Sequence, residues 1–339
     1  CGLMTIRLYT SLDTGAPVLS GSQFSRVRQI LLACLVNGYG GKPAAGWTLG
    51  HDVAGGFSLF NGVAYINFVD SSTTDYGHAT YIMEAITDGT KALAGGVNRR
   101  SAGWYDGSSV TERQGWYTGS TGLNGKFNPH WLVAADDKTC IFLFGGFADS
   151  ADLPSATGAV HYFGQYINAT GLTGVGAFCS LGGYMSDSSG STAFLDFSSR
   201  YGTCLRNPYT GLVAQGDAAR YGANLAIHTR GSAQLSAASR LSLSRLQPVR
   251  ALMLCYGGNL GVGTTSTRAA VAGYLRGVVG EPTLASVPLS QVMTLLGRAN
   301  TWQNRVTPFT LPNGVQWAPL YASPYDLGAF VSLSPSDWE

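Results

Sequence analysis

Few residues in this 339-residue chain could carry proton transfer, metal binding or nucleophilic attack, and their spacing favours none of the three. The five histidines are His51, His78, His130, His161 and His228. None stands in a His-Glu-x-x-His arrangement or another close pair that would put two imidazoles on one ion. His51 and Asp52 are adjacent, and consecutive side chains in a strand point to opposite faces. The six cysteines, Cys1, Cys34, Cys140, Cys179, Cys204 and Cys255, lie at long, irregular intervals without a Cys-x-x-Cys pair. Neither a zinc knuckle nor a dithiol redox motif is indicated. Cys34 and Cys140 fall inside apolar runs and read as small buried hydrophobes. The interval between Cys179 and Cys204 permits a disulfide without requiring one. Reduced thiols are the expectation for a chain assembled in cytoplasm.

The familiar catalytic loops are also missing from the sequence. There is no Gly-x-Ser-x-Gly nucleophile elbow. Gly125-Lys126 lacks the earlier glycine and the following Ser or Thr of a phosphate loop. Gly38-Tyr39-Gly40-Gly41 follows a helical pattern, whereas a dinucleotide loop follows a strand and opens a helix. Carboxylates number only 19, and Asp136-Asp137 reads as a hairpin tip. An acid pair there would be exposed and poorly placed to acquire a shifted pKa. The sequence therefore assigns no catalytic, cofactor-binding or metal-ligating residue, and the expectation is a protein that is not an enzyme and needs no cofactor. Net charge is +2. No Lys/Arg cluster marks a nucleic-acid surface, and the pair Arg99-Arg100 is isolated. No run of 18 apolar residues exists, so no membrane span is expected; the longest strongly apolar stretches are Ile30–Val36 and Ile141–Phe144.

The elements that would position side chains are more legible. Charged residues make up 12% of the chain, about half the ~25% usual in soluble domains. Glycine contributes 46 residues, about twice its usual share of roughly 7%. With a hydrophobic fraction of 45%, this composition predicts a turn-rich β protein with a lightly charged exterior that favours association. Ser22–Val36 predicts a helix capped by Ser20 or Ser22. Phe24, Val27, Ile30, Leu31, Cys34 and Leu35 form one apolar face, Asn37-Gly38 supplies the C-terminal turn, and Pro43 prevents resumption. Two apolar runs around Asn61-Gly62 predict a hairpin over Phe57–Phe68. A second hairpin runs from Trp131 to Phe144, its second arm apolar enough to be a central strand buried on both faces. Ala79–Thr87 reads as strand or short helix. Gly158–Asn168, Val175–Tyr184 and Ala193–Phe197 read as strands, with a Ser/Gly-rich loop at Ser186–Thr192. Ala251–Tyr256 and Ala269–Leu275 are apolar but unassigned. Six prolines from Pro288 onward predict an extended arm.

The expected fold class is α+β and β-rich, with the N-terminal helix packed on a sheet containing Phe57–Val69 and Trp131–Phe144. One unit covers residues 1–287, with a sub-boundary near residue 150, and an irregular arm over 288–339 is ordered by neighbouring subunits, with packing against its own domain as the rival reading. At the start, Cys1 is open to three readings: removal of an initiator Met, a lipidated bacterial lipoprotein terminus, or translation from Met4.

Two segments also carry a resemblance. Leu8–Gly21 (LYTSLDTGAPVLSG) and Ala33–Thr48 (ACLVNGYGGKPAAGWT) resemble the opening and the most recognisable block of a family of tailed-bacteriophage virion structural proteins. Trp131–Thr139 followed by Cys140–Phe144, then Leu275–Gly280 and Asp326–Phe330, resemble later parts of it more weakly. The resemblance covers the first 150 residues well and the rest patchily. It implies a particle component of tail or baseplate type in the virion, assembled in the host bacterial cytoplasm. Other virion proteins and copies of itself would be its partners. It transfers no functional residues. A host-surface glycan or protein receptor is the alternative partner, recognised through aromatic residues around Trp104, Tyr105, Trp116 and Tyr117. A hydrolase of an envelope polymer, needing two converging carboxylates, is the remaining reading.

Overall fold

Helix formation begins where the sequence places it. Ser22 is extended (φ −64°, ψ 166°) and its hydroxyl accepts from the Ser25 amide at 3.2 Å, which satisfies one of the orphan donors of a helix start. α1 (Gln23–Leu31) then runs without a break into a π-helical stretch, Leu32–Asn37. The stretch closes with the Gly38 amide donating to the Ala33 carbonyl at 2.8 Å, the i→i−5 pattern of a π turn. All six residues of the expected apolar face are buried.

In this computed structural model, the described residues are 5–70, 77–88, 95–101, 115–117, 130–145, 159–182, 202–213, 220–224, 248–256, 269–280, 289–320 and 329–339. After β1 (Arg7–Thr10) and α1 come β2 (Thr48–Val53), β3 (Gly56–Phe60), β4 (Tyr65–Asp70), β5 (Gly77–Met83), β6 (Ala85–Asp88), β7 (Gly95–Val97), β8 (Arg100–Ser101) and β9 (Gly115–Tyr117). The middle of the chain supplies β10 (His130–Ala135), β11 (Thr139–Gly145), β12 (Ala159–Gln165), β13 (Ile167–Asn168), β14 (Phe178–Gly182) and β15 (Thr203–Cys204). The last third gives β16 (Arg220–Asn224), β17 (Val249–Tyr256), β18 (Ala269–Gly280), α2 (Leu289–Leu295), α3 (Trp302–Arg305), β19 (Phe309–Thr310), β20 (Gln316–Pro319) and β21 (Ala329–Ser332).

The strands build three larger sheets in which every described pairing is antiparallel. The central sheet has the order β1-β10-β11-β12-β14-β15. A second sheet is β2-β3-β4-β5-β8 with β9 also on β5, and a third is β16-β17-β18-β21-β20-β19 with β13 on β18. Strands β6 and β7 pair apart from these.

The alternation of side chains across the central sheet decides the layering. Trp131, Val133, Ala135, Cys140, Phe142, Phe144 and Phe163 face a core shared with α1 and the second sheet. The intervening Leu132, Ala134, Ile141, Leu143, Val160 and Tyr162 face a core shared with the third sheet. β11 is buried along its whole length, as a nearly continuous apolar strand between two layers must be. The fold is therefore α+β and β-rich. No helix among the described residues is long and apolar enough to cross a membrane.

Two expectations need correction. Phe57–Val69 and Trp131–Phe144 do not share a sheet. The helix packs against both, but they belong to two sheets facing one another, with Phe68 edge-on to Phe163 at 6.1 Å. A pattern of alternating apolar residues fixes which face is buried, not which strand lies alongside. Of the two readings of Ala79–Thr87, strand is the one observed, divided between β5 and β6. The segment from Pro288 does not lie apart as an arm; β19, β20 and β21 complete the third sheet. Three of its described prolines occupy positions that need no ladder hydrogen bond: Pro308 precedes β19, Pro312 follows it in a turn, and Pro335 opens a final 3-10 turn. Trp317 stacks on Phe330 at 5.1 Å, and Trp338 is fully buried. Burying each such ring contributes roughly 1.5–3 kcal/mol.

Both hairpins form, and an Asx turn shapes each. Asn61 Oδ1 accepts from the amides of Val63 (3.2 Å) and Ala64 (3.1 Å), so the first connection spans four residues, Asn61–Ala64. Asp136 Oδ1 accepts from the amides of Lys138 (3.0 Å) and Thr139 (2.8 Å) in the second. Gly158–Asn168 supplies β12 and β13, and Val175–Tyr184 supplies β14 after a 3-10 turn. Ala251–Tyr256 and Ala269–Leu275 are neighbouring strands, β17 and β18. The readings at Ala193–Phe197 and Ser186–Thr192 lie outside the described residues.

Candidate functional site

Two polar junctions each gather an ion pair with several hydrogen-bonding groups around it. The first joins the end of β1 to the turn after the helix. Asp13 Oδ2 accepts from the Tyr39 hydroxyl (2.7 Å), the Thr10 amide (2.8 Å) and Lys42 Nζ (2.7 Å). Lys42 Nζ also donates to the Leu8 carbonyl at 2.9 Å, and the Tyr9 hydroxyl donates to the Pro43 carbonyl at 2.7 Å. Burial alone would push the Asp13 carboxyl up. The hydrogen bonds from Lys42, Thr10 and Tyr39, with the Lys42 charge, outweigh it and hold the carboxyl below its ordinary value. Burial first, and then neighbours that include the Asp13 carboxylate, push Tyr39 above its ordinary range, so its hydroxyl stays a donor.

Backbone approach at this junction is close enough to select glycine. Gly40 has φ +54°, and a Cβ there would fall inside the Thr14 carbonyl. The surrounding backbone groups answer one another: Tyr39 and Lys42 exchange amide–carbonyl bonds at 3.0 and 2.7 Å. Ala45 and Trp47 donate to Cys34 and Leu35 at 3.0 Å each. Asn37–Gly46 is thus a structural turn whose charged side chain is spent on β1.

The second junction lies between the central and third sheets. Arg276 of β18 places Nη2 at 2.7 Å from Asp136 Oδ2, and both side chains are at most 5% exposed. Nη1 donates to Thr139 Oγ1 (2.7 Å) and to Asp136 Oδ1 (3.2 Å), and Nε donates to the Trp338 carbonyl at 2.5 Å. The Arg276 amide donates to the Tyr162 hydroxyl (3.1 Å), which in turn donates to the Gln165 carbonyl (2.6 Å). Burial pushes Tyr162 well up, so it keeps the proton it donates. The Asp136 carbonyl accepts from Trp47 Nε1 at 2.8 Å, which ties this junction to the block that carries the first one. The neighbouring Gly277, at φ +71°, lies where any Cβ would overlap the Trp338 ring.

Asp136 corrects the expectation of an exposed hairpin tip: it is 1% exposed. A turn Asp can be solvated or buried with equal ease by sequence, and only the opposing arginine decides. The available signal was Arg276 itself, a lone cation inside the apolar run Ala269–Gly280, because arginine is almost never fully buried unless paired. Lys42 and Asp13 were equally unremarkable as residue types.

The remaining candidates disperse. Asp52 pairs with Arg28 of α1, while the His51 amide donates to Ser58 Oγ at 2.6 Å. His130 Nδ1 is 3.3 Å from Ser11 Oγ, and His161 is buried in β12 with its ring 6.3 Å from that of Phe142. His78 lies on β5 opposite Trp116 of β9. Trp104, Tyr105 and His228 lie outside the described residues, as do the side chains of Trp116 and Tyr117. Glu84 is held by Arg206 at 2.5 Å. No group of three His, Cys, Asp or Glu side chains converges on a point among the described residues.

Chemically, both junctions can fix and lock, since their charges are neutralised within hydrogen-bond reach. No protein-family model and no curated protein matches the chain.

Proposed function

We propose that this chain is a structural subunit of a tailed-phage particle, of tail or baseplate type, acting through contacts with other virion proteins and with copies of itself. One observation carries the reading. The segments that resemble the virion family are the segments that make the junctions. Leu8–Gly21 meets Ala33–Thr48 through Asp13, Tyr39 and Lys42, and Trp131–Thr139 meets Leu275–Gly280 through Asp136 and Arg276. What is alike is therefore scaffold, not a substrate site. The same first block presents apolar side chains outward, with Leu12 45% and Val18 88% exposed. Together with the low charge, that surface suits burial against a neighbour.

The test is the position and copy number of the chain in purified particles, by cryo-electron microscopy and quantitative mass spectrometry. A fixed stoichiometric place is expected; absence from intact particles would overturn the reading. Val18→Asp, at a position that packs against little in the subunit, should leave the unfolding midpoint unchanged while incorporation falls.

A further inference from the structure

Three of the five described cysteines, Cys179, Cys204 and Cys255, share one core between the central and third sheets. Cys179 and Cys204 are direct cross-strand partners on β14 and β15. The Leu205 amide donates to the Phe178 carbonyl at 3.1 Å, so the flanking pair is hydrogen-bonded and the cysteine pair is of the non-hydrogen-bonded kind. In such a pair the Cα atoms stand about 4.5 Å apart with side chains on the same face. A disulfide needs Cα atoms roughly 4.4–6.8 Å apart, so a bridge fits this register without moving the backbone.

We propose that Cys179 and Cys204 are an oxidation site that closes into a cross-strand disulfide when the protein meets a low-molecular-weight disulfide. In the first step one cysteine, as thiolate, attacks a sulfur of the small disulfide, which releases one reduced thiol and leaves a mixed disulfide. The second cysteine, deprotonated in turn, displaces the second small thiol and forms the protein S–S bond. Two protons and two electrons pass from the protein to the small disulfide, one S–S bond breaks and one forms.

The fold also sets the kinetics. Both thiols are at most 1% exposed, and burial pushes both well above the ordinary value, so little thiolate exists in the closed structure. β15 is a two-residue strand at the edge of its sheet, so only two register pairs with β14 need part there to bring the thiols to solvent. Oxidation therefore follows the opening of that edge. Cys255 belongs to the facing sheet, outside the β14–β15 register that sets Cys179 and Cys204 side by side. Nothing in this chemistry depends on the chain's place in a particle.

The experiment incubates the full-length reduced protein with oxidised glutathione, traps it with an alkylating reagent and counts thiols after denaturation. The chain has six cysteines, and two thiols should be lost. Trypsin should then release the peptide of residues 201–206, which carries Cys204, only after reduction, and fragmentation of the linked species should place its partner at Cys179. Cys255→Ala should keep the bridge and Cys179→Ala should abolish it. Full retention of free thiols, a glutathione adduct alone, or a bridge through Cys140 or Cys255 would each overturn the proposal. The fragmentation map decides the matter even if a variant fails to fold.

Discussion

The Asp13 junction and the Asp136 junction are built from the same kinds of groups, yet they differ in depth and in reach along the chain. Lys42 is 40% exposed and lies 29 residues from Asp13. Arg276 is 5% exposed and lies 140 residues from Asp136. A partly solvated pair over a short loop is a local clasp, and its energy is modest because water competes for every partner. A buried pair across two sheets contributes little net stability over an apolar substitute, but removal of one member leaves a charge stranded without water. The first junction shapes a turn. The second fixes how two layers of the molecule meet.

Four perturbations test that contrast. Truncation after Pro288 removes β19–β21 with Trp317, Phe330 and Trp338, and also the carbonyl that holds Arg276 Nε. The expected result is loss of any cooperative unfolding transition in calorimetry; a truncated chain that still melts cooperatively would show the segment to be dispensable. Arg276→Met should cost about 3–5 kcal/mol in urea titration. Asp136→Asn added to it should recover part of the loss, because Asn still accepts from the turn amides while the stranded charge is gone. Equal losses in the single and double variants would mean that the pairing matters less than the packing around it. Gly40→Ala should cost roughly 2–4 kcal/mol through positive φ and collision with Thr14. The smallest effect belongs to Asp13: Asp13→Asn should cost only about 1.5 kcal/mol at neutral pH, the low end for a hydrogen bond to a charged group.

The Asp13 effect also has a pH signature. The folded carboxyl titrates below its unfolded value of about 3.9. Its stabilisation is therefore complete above that value and is lost as pH falls through the folded one. The stability difference between wild type and Asp13→Asn should vanish in acid, and a difference independent of pH would refute the charged clasp.

Legibility in the sequence followed the range of the interactions. The Ser22 cap, the apolar face of α1, both hairpins and the double burial of β11 depend on residues within a few positions of each other, and they could be read directly. The face each strand buries was legible as well, because side chains alternate. Which sheet a strand joins was not. That choice separates Phe57–Val69 from Trp131–Phe144, and it depends on shape complementarity between distant segments. Proline content misled at the C-terminus because it counts lost donors and not where they fall; Pro319 ends β20 and Pro335 opens a 3-10 turn. Neither junction was legible as such, since Asp136 and Arg276 acquire meaning only from one another.

The way β1, β10 and β18 come together also sets an order of events during synthesis. β1 pairs with β10 in the register Arg7↔Ala135, so the N-terminal strand waits for a partner more than a hundred residues downstream. The face of β10 and β11 that carries Leu132, Ile141 and Leu143 is covered by β17, β18 and the segments after them. At a ribosomal rate of about 5–20 residues per second, that face stays open for roughly 10–40 s while the covering strands are made. With so many pairings between remote segments, closure is slow even afterwards. Until then β11 is an apolar strand with a bare side and the Arg276 cation has not yet reached its carboxylate. The yield of folded chain should therefore depend on translation speed more steeply than that of a helical protein of similar length.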